Sequence, residues 1–403
     1  MSIGKRTVAA LLALLLCFSL FACSQDGTGE GGTNGDGVTD GTQDGTQDDV
    51  PRLVNDIEYL YLGTPLAERY TEGERARCAL DLILYGNMLY AGSGDYDLNL
   101  GPAAIPRYAL DLDTWYVDAT VPDEEVNRFF VIDGKLVTPG IDPQEDWELG
   151  NYYVLSEDGE TWDTVRTIPN GIHTFDMVEY GEGIFVGCGV SAGAHPVRVS
   201  FDGGESFAPV EMRKDGTPVD TTAHATVRSY DFFVQDGVLY ATLMLTNTST
   251  YYELYRYDSE SNVFFYEADL RDTYRFYRNT FIYFDAKANF DGRLYLSTGA
   301  LYDASNLTRP EIIPLGEGAQ VVDLYLANGK LYALTFLPEE EGYRIAVYAK
   351  TSAETPFAEC FNFHYSVPAL SLAVDGVDFY LGMGSTRVPN AHNGDVLYVW
   401  YEE

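Results

Sequence analysis

Trp147 stands among Asp142, Glu145 and Asp146 in the segment GIDPQEDWELGN. An indole flanked by carboxylates suits a sugar, because the ring stacks on the apolar face and the acids accept from the hydroxyls. A pair such as Glu145 and Asp146 could instead act as acid and base in glycoside cleavage. A second loop, GSGDYDLNLGP, offers Asp95, Tyr96, Asp97 and Asn99. Histidines recur in further loops: His173 in PNGIHTFD, His195 in SAGAHP, His224 beside Arg228 in TTAHATVR, and His392 near Arg387 and Asn393 in RVPNAHNGD. Aspartate with histidine could hold a metal, calcium at Asp95 and Asp97 or zinc at the histidines. The reading adopted is no cofactor and no metal, with calcium as the alternative. For any single one of these residues, a solvated loop is the plainer account.

The elements between these loops are short apolar runs broken by Gly, Asp and Asn, without helical periodicity. One hairpin recurs: LILYGNMLYAGSG, FFVIDGKLVTPG, MVEYGEGIFVGCG, FFVQDGVLYATLM, YFDAKANFDGRLYLSTG, DLYLANGKLYALT and LAVDGVDFYLGMG. Asp-Gly and Asn-Gly favour the primed turns that match strand twist. The turn glycines Gly86, Gly134, Gly183, Gly237, Gly292, Gly329 and Gly376 are separated by 48, 49, 54, 55, 37 and 47 residues. A period near 50 residues built from strands alone predicts a β-propeller of four-stranded antiparallel blades, seven in number. DVLYVWYEE follows the last hairpin and DIEYLYLGT precedes the first. The N-terminal strand is therefore expected to complete the last blade and leave no edge. In such a ring the loops that follow each hairpin, and those between blades, share the face around the central channel. Four of the five histidines fall in them.

Two turns on the opposite face carry a motif. SFDGGESF supplies Ser200, Asp202, Gly204, Ser206 and Phe207, and SEDGETW supplies Ser156, Asp158, Gly159, Thr161 and Trp162. Both resemble the Asp-box, or BNR repeat, of sialidase-like propellers. The resemblance implies a structural turn, with the Asp accepting from turn amides and the aromatic residue plugging between blades. It places these turns away from any active site. Sialidases also use three arginines, and Arg128, Arg228 and Arg278 are the set this chain offers. The Phe/Tyr-Arg-Ile-Pro motif of that family is absent. Segments around GSGDYDLNLGP and NRFFVIDGKLVTPGIDPQEDWELGN are similar to uncharacterised bacterial propeller proteins.

The N-terminus reads as a leader. Lys5 and Arg6 precede an apolar run over residues 7–22, too short for a comfortable membrane span. Leu20-Phe21-Ala22-Cys23 resembles a bacterial lipobox, which implies diacylglycerol on Cys23 and cleavage before it. Residues 23–50 carry seven carboxylates, no Lys or Arg and almost no apolar side chain, which predicts a disordered acidic tether. The propeller is expected over residues 51–403. A net charge of −37 argues against nucleic acid and against anionic membrane surface. It also argues against acidic ligands unless a local basic pocket exists. Cys188 sits in an apolar strand, and a disulfide between Cys78 and Cys360 is one option. The function that results is a monomeric, lipid-anchored, extracytoplasmic module that binds a glycan or an envelope protein. A sialidase-like or other glycoside hydrolase is the alternative.

Overall fold

The computed structural model describes residues 52–71, 74–144, 148–190, 194–276 and 282–402. The leader, Cys23 and the tether lie outside the described residues. So do Glu145, Asp146, Trp147 and Arg278.

Alternating apolar runs form the strands, and the Asp-Gly and Asn-Gly pairs turn them. Asp133 and Gly134 have φ of 49° and 71°, Asn328 and Gly329 of 55° and 69°. Two successive positive values define the primed hairpin turn, which splays the strands least. The result is an all-β propeller of four-stranded antiparallel blades. Five blades are separate sheets. One joins Leu82–Tyr85, Met88–Ala91, Arg107–Ala109 and Thr114–Tyr116, and another joins Phe130–Ile132, Lys135–Pro139, Leu149–Leu155 and Trp162–Pro169. The next pair of sheets runs from Ala286–Phe290 to Glu311–Ile313 and from Gln320–Ala327 to Ala358–Tyr365. The last sheet is ordered Ala369–Asp375, Asp378–Met383, Val396–Trp400 and then the N-terminal Leu60–Gly63.

Two more four-strand paths lie inside a larger sheet. One begins at His173–Tyr180 and ends at Ala208–Pro209, and the other begins at Phe232–Gln235 and ends at Val263–Asp269. Thr226–Arg228 links them by pairing with both Gly183–Val190 and Val238–Thr246. On the other side Ile141–Pro143 pairs with His173, and Asp123–Glu125 pairs with Ile141–Pro143. These short pairings raise a wall of backbone over one side of the channel mouth.

Aromatic side chains fill the spaces between sheets. Phe361 and Phe379 are buried and meet edge to face with centroids 5.1 Å apart. Burial of each such ring stabilises by roughly 1.5–3 kcal/mol. The two motif turns add plugs of the same kind. Trp162 packs on Tyr90 and Phe129, with centroids 6.0 Å from each, and Phe207 packs 6.0 Å from Tyr152. Asp202 accepts from Ser200 Oγ at 2.7 Å and from the Ser206 amide at 2.9 Å, and Ser200 Oγ accepts from Gly204 N at 2.8 Å. Asp158 accepts from Ser156 Oγ at 2.5 Å and from the Glu160 amide at 3.0 Å. At Gly204, φ is 94° and a Cβ would fall 1.9 Å from the Tyr152 hydroxyl, so glycine is required there. A turn over residues 351–357 has a similar shape with Ser352 where the others have Asp. Its Phe357 packs 6.2 Å from Tyr295.

The disulfide considered for Cys78 and Cys360 does not form; both, like Cys188, are buried free thiols. Cys360 sits in an apolar cluster with Phe361 and Val347, and Cys188 in another with Val186 and Ile168. Burial pushes the Cys78 thiol up to about 12 and the Cys188 thiol to about 11.

The N-terminal segment closes the last sheet and also reaches the one before it. Leu60 and Tyr61 pair with Tyr398 and Leu397, while Val54 exchanges backbone hydrogen bonds with Cys360 and Asn362 at 2.9 and 3.1 Å. Deleting residues 52–64 should therefore open an edge and destabilise the whole domain. The expected loss in Tm is more than about 5 °C, a shift that several kcal/mol would produce. A melt unchanged by the deletion would show that closure contributes nothing.

Candidate functional site

The channel is held together by carboxylates at the start of the inner strands. Asp81 Oδ2 accepts from Phe129 N at 2.7 Å, Asp176 Oδ2 from Phe232 N at 2.6 Å, Asp231 Oδ2 from Phe284 N at 3.2 Å, and Asp323 Oδ2 from Leu372 N at 2.7 Å. Each bond runs from one four-strand path to the beginning of the next hairpin along the chain. Two cations sit among them. Arg128 contacts Asp231 at 3.2 Å and donates to Phe284 O at 2.9 Å, and Lys287 contacts Asp176 and donates to Phe232 O at 3.1 Å. Burial, and then the Asp323 charge, raises Asp81 to about 7. Burial raises Asp323 to about 6 and pushes Asp176 up as well, against the pull of Lys287 and Arg128.

Above this belt opens a cavity of about 540 Å³. Arg128 belongs to its wall, with Tyr230, Phe175 and Tyr283 as the aromatic part. Three of the residues predicted from sequence, Asp95, Tyr96 and Asp97, also line it. Asp95 accepts from Leu98 N at 3.2 Å and so caps a short 3-10 turn, Tyr96–Leu98, that aims Tyr96 and Asp97. Asn99 ends the turn at φ 53° and stays exposed outside the cavity. Gly94 makes this possible: a Cβ there would meet Glu124 O at 2.3 Å. Arg75 pairs with Asp95 at 3.0 Å.

Glu125 and Asn127 come from the raised wall, and the Asn127 amide donates to Glu125 Oε1 at 3.1 Å. Burial, followed by the nearby Asp95 and Asp97 charges, raises the Glu125 carboxyl to about 8. It therefore carries a proton at neutral pH and presents it beside other carboxylates. Neither Glu125 nor Arg75 was singled out from the sequence. Both lie in very short elements, a 3-10 turn over Glu74–Arg77 and the three-residue strand Asp123–Glu125, too brief to leave a periodic signal.

The remaining predicted residues are dispersed. Asp142 pairs with His173 at 3.0 Å, and the His173 ring stacks 5.6 Å from Phe175, so this pair backs the aromatic wall without lining it. Arg228 lies over Phe175 and Tyr230 and donates to the Tyr230 hydroxyl at 2.9 Å. His195 is half-buried, and burial lowers its pKa, with Arg198 adding to the effect. His224 lies 6.4 Å from the Tyr251 ring. His392 contacts Asp395 at 2.9 Å; Asp395 also accepts from Tyr365 at 2.6 Å and from Thr64, so this histidine belongs to ring closure. Of the three arginines considered together, Arg128 and Arg228 both serve the channel face but hold protein partners. Among the described residues no group of three His, Cys, Asp or Glu is arranged to hold a metal. No helix among them is long and apolar enough to cross a membrane.

No family model matches the sequence, and no curated protein does. Similar solved structures include a chain of the mitotic checkpoint complex, at 10% identity with 81% of this chain and 91% of that one covered, and a TM-score of 0.47. An ulvan lyase of polysaccharide lyase family PL25, bound to -[GlcA(1-4)Rha3S]-, is 12% identical over 80% of this chain and 91% of its own, with a TM-score of 0.45. A second structure of that lyase has 12% identity, coverage of 82% and 92%, and a TM-score of 0.44. These likenesses concern the path of the chain and bear on neither activity nor ligand.

The raised carboxyls set a direction for pH dependence. Asp81, Asp123, Glu124, Glu125 and Asp323 have folded values of about 7, 6, 7, 8 and 6. Unfolded carboxyls titrate near 4, so between about pH 4 and 8 the folded state holds more protons and loses stability as pH rises. Hydrogen bonds from Ser206 and Ser200 lower Asp202 to about 2, so its contribution is present above its unfolded value and lost as pH falls through 2. Thermal melts across pH 3–9 should peak near about pH 4 and decline toward pH 8. A Tm that climbs steadily from pH 5 to 8 would contradict this account of the channel.

Proposed function

We propose that this protein binds saccharide in the cavity at the channel mouth. One observation carries the reading: Tyr96, Phe175, Tyr230 and Tyr283 share a single 540 Å³ cavity with Asp97, Glu125 and Arg387. Aromatic faces shed water onto the C–H face of a sugar ring, and charged groups at the rim bond its hydroxyls. The volume lies within the range of small-ligand pockets. The sugar site expected at Trp147 moves, in this reading, to rings supplied by four different blades.

Cleavage is the second reading, and Glu125 is its basis. A carboxyl raised to about 8, with the Asp97 carboxyl lining the same cavity, supplies the two kinds of group an acid–base glycosidase needs. Alanine at Tyr96 or Tyr283 is expected to weaken glycan binding about tenfold, the size of one lost stacking contact, with little change in Tm. Glycan-array binding by the purified protein and both variants measures this. Retention equal to wild type in both variants would remove the cavity from consideration. Sugar release that disappears in Glu125→Gln, with binding kept, would establish the enzyme reading instead.

We also propose that the five separate sheets and the two paths inside the larger one count as seven blades, which electron microscopy down the channel axis would check. The two turns at Asp158 and Asp202 are read as Asp-boxes on their hydrogen bonding and interblade aromatic plugs. Localisation is proposed from the leader alone: a lipid on Cys23 holds the domain outside the cytoplasmic membrane, since two acyl chains suffice for stable anchoring. Cys23→Ala should shift the protein from the membrane fraction to the soluble one or block its processing. A variant that stays with membranes at the wild-type mass would refute the anchor.

A further inference from the structure

A second cavity, of about 360 Å³, opens on the same face. It shares Tyr283, Asp285, Val322, Leu370, Thr386 and Arg387 with the first. Two cavities with a common wall form one trough, which crosses from the raised backbone wall to the sheets that begin at Gln320 and Ala369. Its far end has its own aromatic platform. Phe336 and Tyr343 meet there edge to face at 5.6 Å, both half-buried, and Phe276 flanks them.

The junction is built differently from either end. Arg387 is exposed and, among the described residues, forms no ion pair. Arg75 reaches the same corner by donating to Thr386 O at 3.3 Å. A guanidinium with open donors between two aromatic platforms suits the linkage region of a chain, where hydroxyl and ring oxygens crowd together. A single sugar would use one platform and leave the other wet.

Resting on the saccharide reading above, we infer that the ligand is an oligosaccharide chain that crosses both cavities, with one unit on the Tyr96 and Tyr230 side, a later unit on Phe336 and Tyr343, and its linkage over Tyr283 and Arg387. The trough selects for length. Each added unit gains contacts until the far platform is covered, and further units extend into water.

Isothermal titration of the full chain with cello-, chito- and galacturono-oligosaccharides of two, four and six units tests this. At least one series should bind about tenfold tighter at four units than at two and gain little at six. Tyr343→Ala should erase most of that gain, and Phe336→Ala should act in the same way. Equal affinity for two and four units, or a gain that survives both substitutions, overturns the chain proposal while leaving single-cavity binding intact. Failure of every sugar in the panel to bind overturns the saccharide reading itself. Circular dichroism melts of the two variants separate a lost platform from a damaged fold.

Discussion

The innermost strand of a propeller blade faces a channel where no further strand can pair with it. An amide near its start must find an acceptor elsewhere, because an unpaired buried N–H is costly. Here an aspartate from the adjacent blade supplies that acceptor at Phe129, Phe232, Phe284 and Leu372. One short side chain thus satisfies a donor and fixes the angle between neighbouring sheets. The aromatic packing between blades depends on that angle being held.

The solution creates its own difficulty, since several carboxylates converge on a narrow space. Three devices relieve it: Arg128 spans to Asp231, Lys287 spans to Asp176, and Asp81 and Asp323 shift toward their neutral forms. Removing one partner of such a buried pair costs about 3–5 kcal/mol, so the cations are as structural as the acids. One of these cations, Arg128, also lines the cavity above. Binding chemistry and ring geometry therefore draw on one set of charges.

Much of the architecture was legible because turn chemistry repeats. Asp-Gly and Asn-Gly mark hairpins at near-constant spacing, and the unmatched strands at the two ends pointed to closure. Asp95, Tyr96 and Asp97 were legible as a cluster because they are adjacent in sequence. Arg75, Glu125, Tyr230 and Tyr283 were not, since the fold alone gathers them. The belt left a faint trace that could have been read: an Asp just ahead of or inside the inner strand in ALDLILY, TFDMVEY, SYDFFVQ and VVDLYLA. Arg128 was noticed at that position, but its partner lies 103 positions away and spacing cannot find it. A histidine in an exposed loop reads the same in sequence whether it meets a ligand or, as with His392, contacts Asp395 at the seam.

That seam has a consequence for the order in which the molecule is made. Tyr401 donates to Arg52 O across 349 positions, and Leu60–Gly63 has no neighbour until Val396–Trp400 exists. Leu60–Gly63 must wait, unpaired and rich in tyrosine and leucine, until those later residues are made. Contacts of such long range form late and slowly. Until Val396–Trp400 emerge, the domain presents an open arc with two sticky edges, a state open to chaperones and to misassembly with its own copies.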